Sequence, residues 1–339
     1  MTERISLGDL QNRILDLNVS DEELQHYLVI SGDATTPFAP AVVPNVESVI
    51  LQGPLDSADV QASSFLDVFQ DLVEQRRLLK FKESRRTYPQ RPILFAEGDS
   101  WFQFPIFLKD LIDHLSKDYS LYCISRAGDT IENMVYGNPD YLDVLADLLA
   151  DQGAAVQGFL FSGAGNDVIG KGDGDRPVLE EILRPYNASE LPHWHVMTPR
   201  ADQIFQYIAD AYRRIFSEID ARFPAATYPS LRVYLHGYDY VQVRGLGPAG
   251  DPNKPVWAAE WTSGPLRARG FTNNAFGSRV IAALIDRLND TTAAVCAEHP
   301  RGVYVNLRGS VGDRNWVDEL HPTSKGYGQA AERFRTYLV

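Results

Sequence analysis

Residues 93–101 read ILFAEGDSW, a short apolar run that passes through a glycine into Asp99 and Ser100. A run of this length that ends in turn residues is typical of a strand buried in a parallel sheet. Such a strand places the Ser100 hydroxyl at its carboxyl end, where we expect it to be exposed. In open α/β sheets the ligand crevice lies at that edge. The stretch therefore predicts a buried strand that carries a reactive side chain to the functional edge.

Four similar runs follow along the chain, and each precedes a segment of helical periodicity. The five predicted strands are residues 93–96, 120–124, 156–161, 231–236 and 303–307. The last helix candidate shows an apolar stripe through Tyr327, Ala330, Phe334 and Tyr337. Strands that alternate with helices favour right-handed crossovers. The sequence thus predicts an α/β fold, a three-layer doubly wound, flavodoxin-like sheet of about five parallel strands.

The first 88 residues show helical patterns with a Pro-rich connection between them and without convincing strands. Leu7, Leu10, Ile14 and Leu17 form one stripe, and Ser20 with Glu23 forms a capping box for a second helix. We therefore predict a small, mainly helical N-terminal segment at 1–88 and a catalytic domain at 89–339. The polar stretch 83–91 is the expected joint. The segment is a candidate docking surface for a protein partner.

Composition excludes several classes of function. Lys and Arg total 32 against 45 Asp and Glu, and the net charge of −13 repels a nucleic-acid backbone. We see neither a signal peptide nor an apolar run long enough for a membrane span. The two cysteines, Cys123 and Cys296, fall in a predicted strand and a predicted helix, which favours reduced core thiols. These features predict a cytoplasmic globular protein.

Three further loops carry polar groups to the edge that holds Ser100. After the second strand comes Gly128, whose backbone N–H can approach a ligand closely. After the third comes Asn166, a side-chain amide donor. After the fifth come Asp318 and His321, where Pro322 favours an extended backbone at the histidine. A nucleophile, a base, a carboxylate and oxyanion donors converge, as acyl-transfer chemistry requires.

These blocks resemble those of the SGNH or GDSL-like hydrolase superfamily, over roughly residues 91–339. The resemblance implies Ser100 as nucleophile, His321 as base and Asp318 as the third member of the triad. It implies that the oxyanion hole consists of Ser100, Gly128 and Asn166. The chain departs from the family at Ala164, where glycine is usual, and at Trp101, where leucine is common.

The resemblance implies hydrolysis of a carboxylic ester through an acyl-enzyme. The substrate would be an acyl lipid, an acetylated sugar or a small acyl ester. Two alternatives stay open: an acyltransferase that uses the same triad, and a non-catalytic binding module with an inherited site. The sequence predicts neither a cofactor nor a metal, since His193 and His195 lack a matching ligand cluster. Asp99 and Asp167 are interpreted as structural.

Two other features compete for roles at the same edge. His236 follows the fourth strand and could replace His321 as base or line the substrate site, but it has no carboxylate three residues earlier. The long connection 244–273 carries Trp257, Trp261 and Phe271. Loops of this length are usually functional or disordered, so we expect a flap that contacts the substrate. The alternative is that its aromatic side chains pack into the core.

Overall fold

The computed structural model describes residues 4–36, 39–51, 55–172, 176–187, 196–247, 250–252 and 254–338. A five-stranded sheet organises this part of the chain. The five strands are β5 (Ile93–Gly98), β6 (Ser120–Cys123), β7 (Val156–Ser162), β8 (Arg232–Gly237) and β9 (Gly302–Asn306). All neighbouring strands are parallel, in the order β6-β5-β7-β8-β9. Every residue of β5 is buried.

This order is the flavodoxin-like arrangement of a doubly wound sheet. The predicted fold class is confirmed, and each strand lies within two residues of its predicted bounds. The strands were predictable because a strand covered on both faces is a continuous apolar run. Their carboxyl ends lie at one edge, so the loops that follow β5, β6, β7 and β9 meet there.

Helices cover both faces of the sheet. The helices are α1 (Leu7–Leu15), α2 (Asp21–Leu24), α3 (Leu55–Thr87), α4 (Leu111–Leu115), α5 (Tyr141–Gln152), α6 (Gly165–Ile169), α7 (Val178–Ile182), α8 (Pro199–Arg222), α9 (Ser263–Ala268), α10 (Asn274–Ala297) and α11 (Ser324–Arg335). Apolar stripes hold the helices to the core, as in α8, where Ile208, Ile215 and Ile219 are buried. Helix α4 packs against α11, and α8 packs against α10. A π-helical turn spans Glu132–Gly137 and a 3₁₀ turn spans Gly153–Ala155.

The N-terminal segment contains strands that the sequence interpretation missed. Strands β2 (Leu28–Thr36) and β3 (Ala39–Pro44) form an antiparallel hairpin, and β1 (Ile5–Ser6) pairs with β4 (Val49–Ile50). The expectation of helices without strands is therefore wrong for this part. The prolines around the hairpin favoured a connection, yet proline is tolerated in a two-stranded ribbon because each strand has an unpaired edge.

Helix α3 joins the N-terminal segment to the sheet. Phe65 and Phe69 near its start are buried in a small cluster with α1 and the hairpin, whereas Phe81 is buried in the main core. The helix ends at Thr87, one residue before the predicted division. That division stays a prediction, and the single helix that crosses both clusters ties residues 1–88 to the sheet.

Candidate active site

Ser100, His321 and Asp318 form a hydrogen-bonded chain at the carboxyl edge of the sheet. The Ser100 Oγ lies 2.9 Å from His321 Nε2. On the other side of the ring, His321 Nδ1 lies 2.8 Å from Asp318 Oδ2. With Nδ1–H donating to the carboxylate, the Nε2 lone pair is left to accept the serine proton. The geometry is that of a nucleophile, a base and a carboxylate that orients the base.

The loop that carries Asp318 and His321 is held by its own carboxylate. Asp318 Oδ1 accepts the backbone N–H groups of Leu320 at 2.7 Å and His321 at 2.6 Å. Directly after the loop, the Thr323 hydroxyl accepts the Gly326 N–H and caps α11. The carboxylate therefore fixes both the backbone and the ring of the histidine, which limits the positions that the base can take.

The serine hydroxyl is enclosed. The sequence interpretation expected an exposed hydroxyl at a strand end, but Ser100 is 0% exposed and His321 is 2% exposed. The Phe104 ring packs edge-on against the His321 ring, with centroids 5.0 Å apart. The Trp257 ring lies 6.3 Å from that of Phe104. Exposure was wrongly predicted because the residues that cover the site come from distant parts of the chain.

The loops after β6 and β7 bring amide donors to the same edge. Gly128 has a φ of 88°, a left-handed backbone that favours glycine. Among the described residues, neither the Ser100 N–H nor the Gly128 N–H has an acceptor. The Asn166 Nδ2 donates to the Asp129 carbonyl at 2.6 Å, which uses one of its two amide hydrogens. These groups have the capacity of an oxyanion hole.

Ala164 occupies the position where the resembled family has glycine. Its φ of 84° is left-handed, which costs a non-glycine residue about 1–2 kcal/mol. The alanine therefore adopts the conformation that glycine would adopt, and α6 starts directly after it with Asn166 in its first turn. A non-glycine residue at this position therefore adds strain to the loop.

Asp99 holds three strand ends together beneath the serine. Its carboxylate accepts the hydroxyls of Tyr238 and Ser162, the latter at 2.8 Å, and the Trp101 N–H at 3.0 Å. Burial raises the pKa of Asp99 to about 6, although these hydrogen bonds favour the charged form. The structural interpretation of Asp99 agrees with these contacts. Tyr238 was missed, because only the fold brings it to Asp99.

His236 is not part of the hydrogen-bonded chain. It is 1% exposed and lies among Trp101, Phe102 and Tyr238, with ring centroids 5.2–6.0 Å away. Its Nδ1 lies 3.2 Å from the Gly237 carbonyl, and its buried Nε2 has no partner among the described residues. Burial lowers the pKa of His236 to about 4. The structure places this histidine among core aromatic side chains, and a role at the substrate site stays a prediction.

The aromatic side chains of the connection 244–273 have two kinds of surroundings. Phe271 is 1% exposed and stacks on Phe276, and Trp261 packs against the main core. Of these three aromatic side chains, Trp257 is the one whose ring lies near the triad, through Phe104. Trp257 thus has a position that fits the flap hypothesis, whereas Trp261 and Phe271 pack into the core, and substrate contact by any of the three stays a prediction. Residues 248, 249 and 253 of this connection lie outside the described part.

Glu319 ties that connection to the histidine loop. Its buried carboxylate accepts the N–H groups of Thr262 at 2.7 Å and Ser263 at 3.1 Å. In return, the Arg244 guanidinium donates to the Asp318 carbonyl at 2.6 Å. The sequence interpretation missed this role. The only available signal was a glutamate two residues before the candidate base.

Helix α3 contacts two of the loops at the site. Arg77 forms a buried ion pair with Asp110, and Asp110 also accepts the Phe104 N–H at 2.9 Å. From the loop that carries Gly128, Arg126 pairs with Asp71 and Glu74, each at 2.8 Å. The N-terminal segment thus braces the wall that contacts His321 and the loop that offers an amide donor.

Ile106 marks the strain in that wall. Its φ of 62° is an outlier for a β-branched side chain. The side chain is buried in the small N-terminal cluster, and Gln25 Nε2 donates to its carbonyl at 2.9 Å. Such a conformation persists only where the surroundings enforce it. Residues 1–88 therefore shape the loop between Ser100 and α4.

Within the described ranges, no group of three or more His, Cys, Asp or Glu residues could hold a metal ion. His193 and His195 lie outside those ranges. No helix in the described part of the chain is both long and apolar enough to cross a membrane. Cys123 and Cys296 are both buried and unpaired.

Comparison with known proteins yields distant structural likenesses. No protein-family model matches the sequence, and no curated protein matches it. An extracellular lipase from Streptomyces rimosus is 14% identical, with 73% of this chain and 99% of that chain covered and a TM-score of 0.42. A Streptococcus pneumonia protein described as a platelet activating factor is 13% identical, with 83% and 99% covered and a TM-score of 0.42.

A further solved structure, from Agrobacterium tumefaciens and described as an arylesterase, is 14% identical. It covers 73% of this chain and 100% of its own, with a TM-score of 0.39. Likenesses this distant do not establish an activity. The class of protein must therefore be inferred from the chain's own residues.

Proposed function

We propose that this chain is an SGNH-type serine hydrolase that cleaves carboxylic esters through an acyl-enzyme. The observation that carries the proposal is the contact of 2.9 Å between Ser100 Oγ and His321 Nε2, with Asp318 2.8 Å behind the ring. A serine hydroxyl is a weak nucleophile unless a positioned base takes its proton. Both the base and the group that orients it are present.

The reaction follows from the direction of these hydrogen bonds. His321 Nε2 takes the Ser100 proton as Oγ attacks the carbonyl carbon, and the Asp318 carboxylate stabilises the imidazolium. The imidazolium then gives its proton to the leaving alcohol as the C–O bond breaks. A water molecule, deprotonated by the same nitrogen, attacks the acyl-enzyme and releases the acid.

The negative oxygen of the tetrahedral intermediate needs donors that are already in place. The N–H groups of Ser100 and Gly128 and the second amide hydrogen of Asn166 are suited to that role. One such donor contributes about 2.7–4 kcal/mol to the transition state. Because Asn166 is braced by the Asp129 carbonyl, its amide does not have to reorganise during the reaction.

Two alternatives keep the same residues. An acyltransferase would pass the acyl group from Ser100 to an alcohol rather than to water, and product analysis with competing alcohols separates the two. The enclosed serine favours neither of them. A non-catalytic module is disfavoured because every group of the triad is within hydrogen-bond distance. The buried, unpaired thiols support the cytoplasmic location that the sequence predicts.

The test is labelling of the purified chain with a fluorophosphonate, followed by hydrolysis of p-nitrophenyl esters of increasing chain length. Ser100→Ala is expected to abolish labelling and turnover. The matched control is Ser125→Ala, a second buried serine that follows the neighbouring strand and should keep both activities. Full labelling of Ser100→Ala would refute the assignment.

The acyl-chain preference tests the role of Trp257. We expect Trp257→Ala to change the preferred chain length and raise KM with a near-normal melting temperature. Phe271→Ala is the contrasting variant, since loss of a buried phenylalanine costs about 3–5 kcal/mol of stability. It should lower the melting temperature and leave the ester preference unchanged. Unchanged selectivity in Trp257→Ala would remove this residue from the substrate site.

A further inference from the structure

A cavity of about 460 Å³ lies between α3, α4 and β6, the edge strand of the main sheet. This volume falls in the range of about 300–1,000 Å³ found for small-molecule sites. Helix α4 has only five residues, so it covers β6 incompletely. Neither Ser100 nor His321 lines the cavity, which makes it separate from the candidate active site.

The floor of the cavity is apolar. Leu121 and Cys123 lie two residues apart on β6, so they face the same side of the strand. Phe81 of α3 and Ile112 of α4 complete the floor from the two helices. All four side chains are buried from solvent except where the cavity reaches them. The surface offered to a ligand here suits a hydrocarbon or aryl group.

The rim has a charge opposite to that of the whole chain. The net charge of the protein is −13, yet five cationic side chains line the cavity against three acidic ones. Arg77 and Lys80 are balanced by Asp21, Asp110 and Asp113. Lys109 pairs with Glu22 at 3.3 Å. The excess positive charge therefore belongs to the other end of the rim.

Arg91 and Lys117 form that end. The Arg91 guanidinium stacks over the Tyr88 ring at 3.7 Å and donates to the Ser116 carbonyl at 3.3 Å, directly beside Lys117. Among the described residues, neither cation pairs with an acid. Two cations that line the same cavity as an apolar floor form a site with complementary charge for one anionic group that carries an apolar body.

We propose that this cavity binds an amphipathic carboxylate, with the carboxylate between Arg91 and Lys117 and the hydrocarbon on Phe81, Ile112 and Leu121. The site does not depend on the proposed hydrolase function. Carboxylates accept charge-assisted hydrogen bonds from guanidinium and ammonium groups, and burial of the chain supplies the remaining affinity.

The cavity also has a physical connection to the triad. Arg77 lines its wall and pairs with Asp110, which holds the backbone of Phe104, and the Phe104 ring contacts His321. A ligand against Arg77 is therefore four contacts away from the candidate base. Occupancy is expected to change the rate of ester cleavage in the full chain.

The experiment measures binding of dodecanoate, below its micelle concentration, to the full-length Ser100→Ala variant by equilibrium dialysis. Dodecyltrimethylammonium is the matched probe of opposite charge. We expect one dodecanoate per chain and weaker binding of the cation. Reversal of both rim charges, Arg91→Glu with Lys117→Glu, should weaken dodecanoate binding by at least about tenfold. The control pair is Lys82→Glu with Lys325→Glu, two exposed lysines outside the cavity that change the net charge equally.

A second readout places the ligand. In a Cys296→Ser background the remaining thiol is Cys123, at the cavity floor, and dodecanoate should slow its modification by a small thiol reagent. Binding that survives the rim reversal, or equal binding of the two probes, would assign dodecanoate to another surface and overturn the proposal. Absence of dodecanoate binding would overturn it as well. Fluorophosphonate labelling of the native serine is measured separately, so failure here leaves the hydrolase assignment standing.

Discussion

The two buried histidines at the carboxyl edge of the sheet have opposite surroundings. His321 lies between a serine hydroxyl and a carboxylate, with both ring nitrogens in hydrogen bonds. His236 lies among aromatic rings, with one nitrogen near a carbonyl and the other without a partner in the described part of the chain. They are almost equally buried, at 2% and 1% exposure.

Burial alone therefore does not make a histidine a base. At His236 it removes water and supplies no opposite charge, and the pKa falls to about 4, so the ring stays neutral at physiological pH. At His321 the Asp318 carboxylate lies 2.8 Å from Nδ1, where it would stabilise an imidazolium in the proposed mechanism. The difference comes from one acid three residues earlier, which His236 lacks.

The largest difference in activity is expected between variants that replace one or the other of the two histidines. We expect His321→Ala to lower kcat by about 10⁴-fold or more, because the nucleophile loses its base. His236→Phe should retain most of its activity, since a ring of similar size fits among its aromatic neighbours. Steady-state kinetics on a p-nitrophenyl ester compares the variants. The reverse ranking would transfer the role of base to His236.

Loss of the Asn166 amide donor leaves both histidines in place. It tests whether the reaction proposed for Ser100 and His321 uses Asn166 in its oxyanion hole. Asn166→Ala is expected to lower kcat by about 10²–10³ with a smaller effect on KM, because the oxygen it faces becomes charged only in the transition state. Asn133→Ala is the control, since Asn133 binds the side chain of Asp129 rather than its carbonyl. Equal kcat in both variants would exclude Asn166 from the oxyanion hole.

The pH dependence of the unfolding free energy tests whether burial keeps the His236 ring neutral. Its folded pKa of about 4 lies below the unfolded value of about 6.5, so falling pH protonates the unfolded chain first. The stability it contributes is complete above pH 6.5 and is lost between about pH 6.5 and 4. Relative to His236→Phe, the native chain should lose roughly 3 kcal/mol over that window. Urea unfolding at several pH values measures the unfolding free energy of both proteins. If the two free energies change with pH in parallel, the pKa of His236 is not lowered in the folded state.

The smallest effect on activity and stability is expected from substitution of Ala164, which directly precedes the helix that carries Asn166. Ala164→Gly relieves the left-handed strain but adds freedom to the unfolded chain and removes a buried methyl group. These effects oppose one another, so we expect a change in unfolding free energy below about 1 kcal/mol and an unchanged kcat. A large loss of kcat would mean that the methyl group itself positions Asn166.

The sequence predicted those features that local patterns encode. The strand before Ser100 and the spacing of Asp318 and His321 are each contained within a few residues. The roles of Phe104, Glu319 and Arg77 could not be predicted, because each depends on a partner far along the chain. The hairpin was missed for a different reason: its prolines and its glycine weakened the local signal of a strand.

The Ser100–His321 hydrogen bond joins residues 221 positions apart. Closing a loop of that length has a high entropic cost that only the assembled sheet repays, so the contact cannot form early in folding. In the sheet, β5 is hydrogen-bonded to β6 and β7, so its own pairing does not require β9 or α11. The chain would then contain a nucleophile without its base. Recovery of esterase activity after dilution from urea should therefore lag behind recovery of helical circular dichroism.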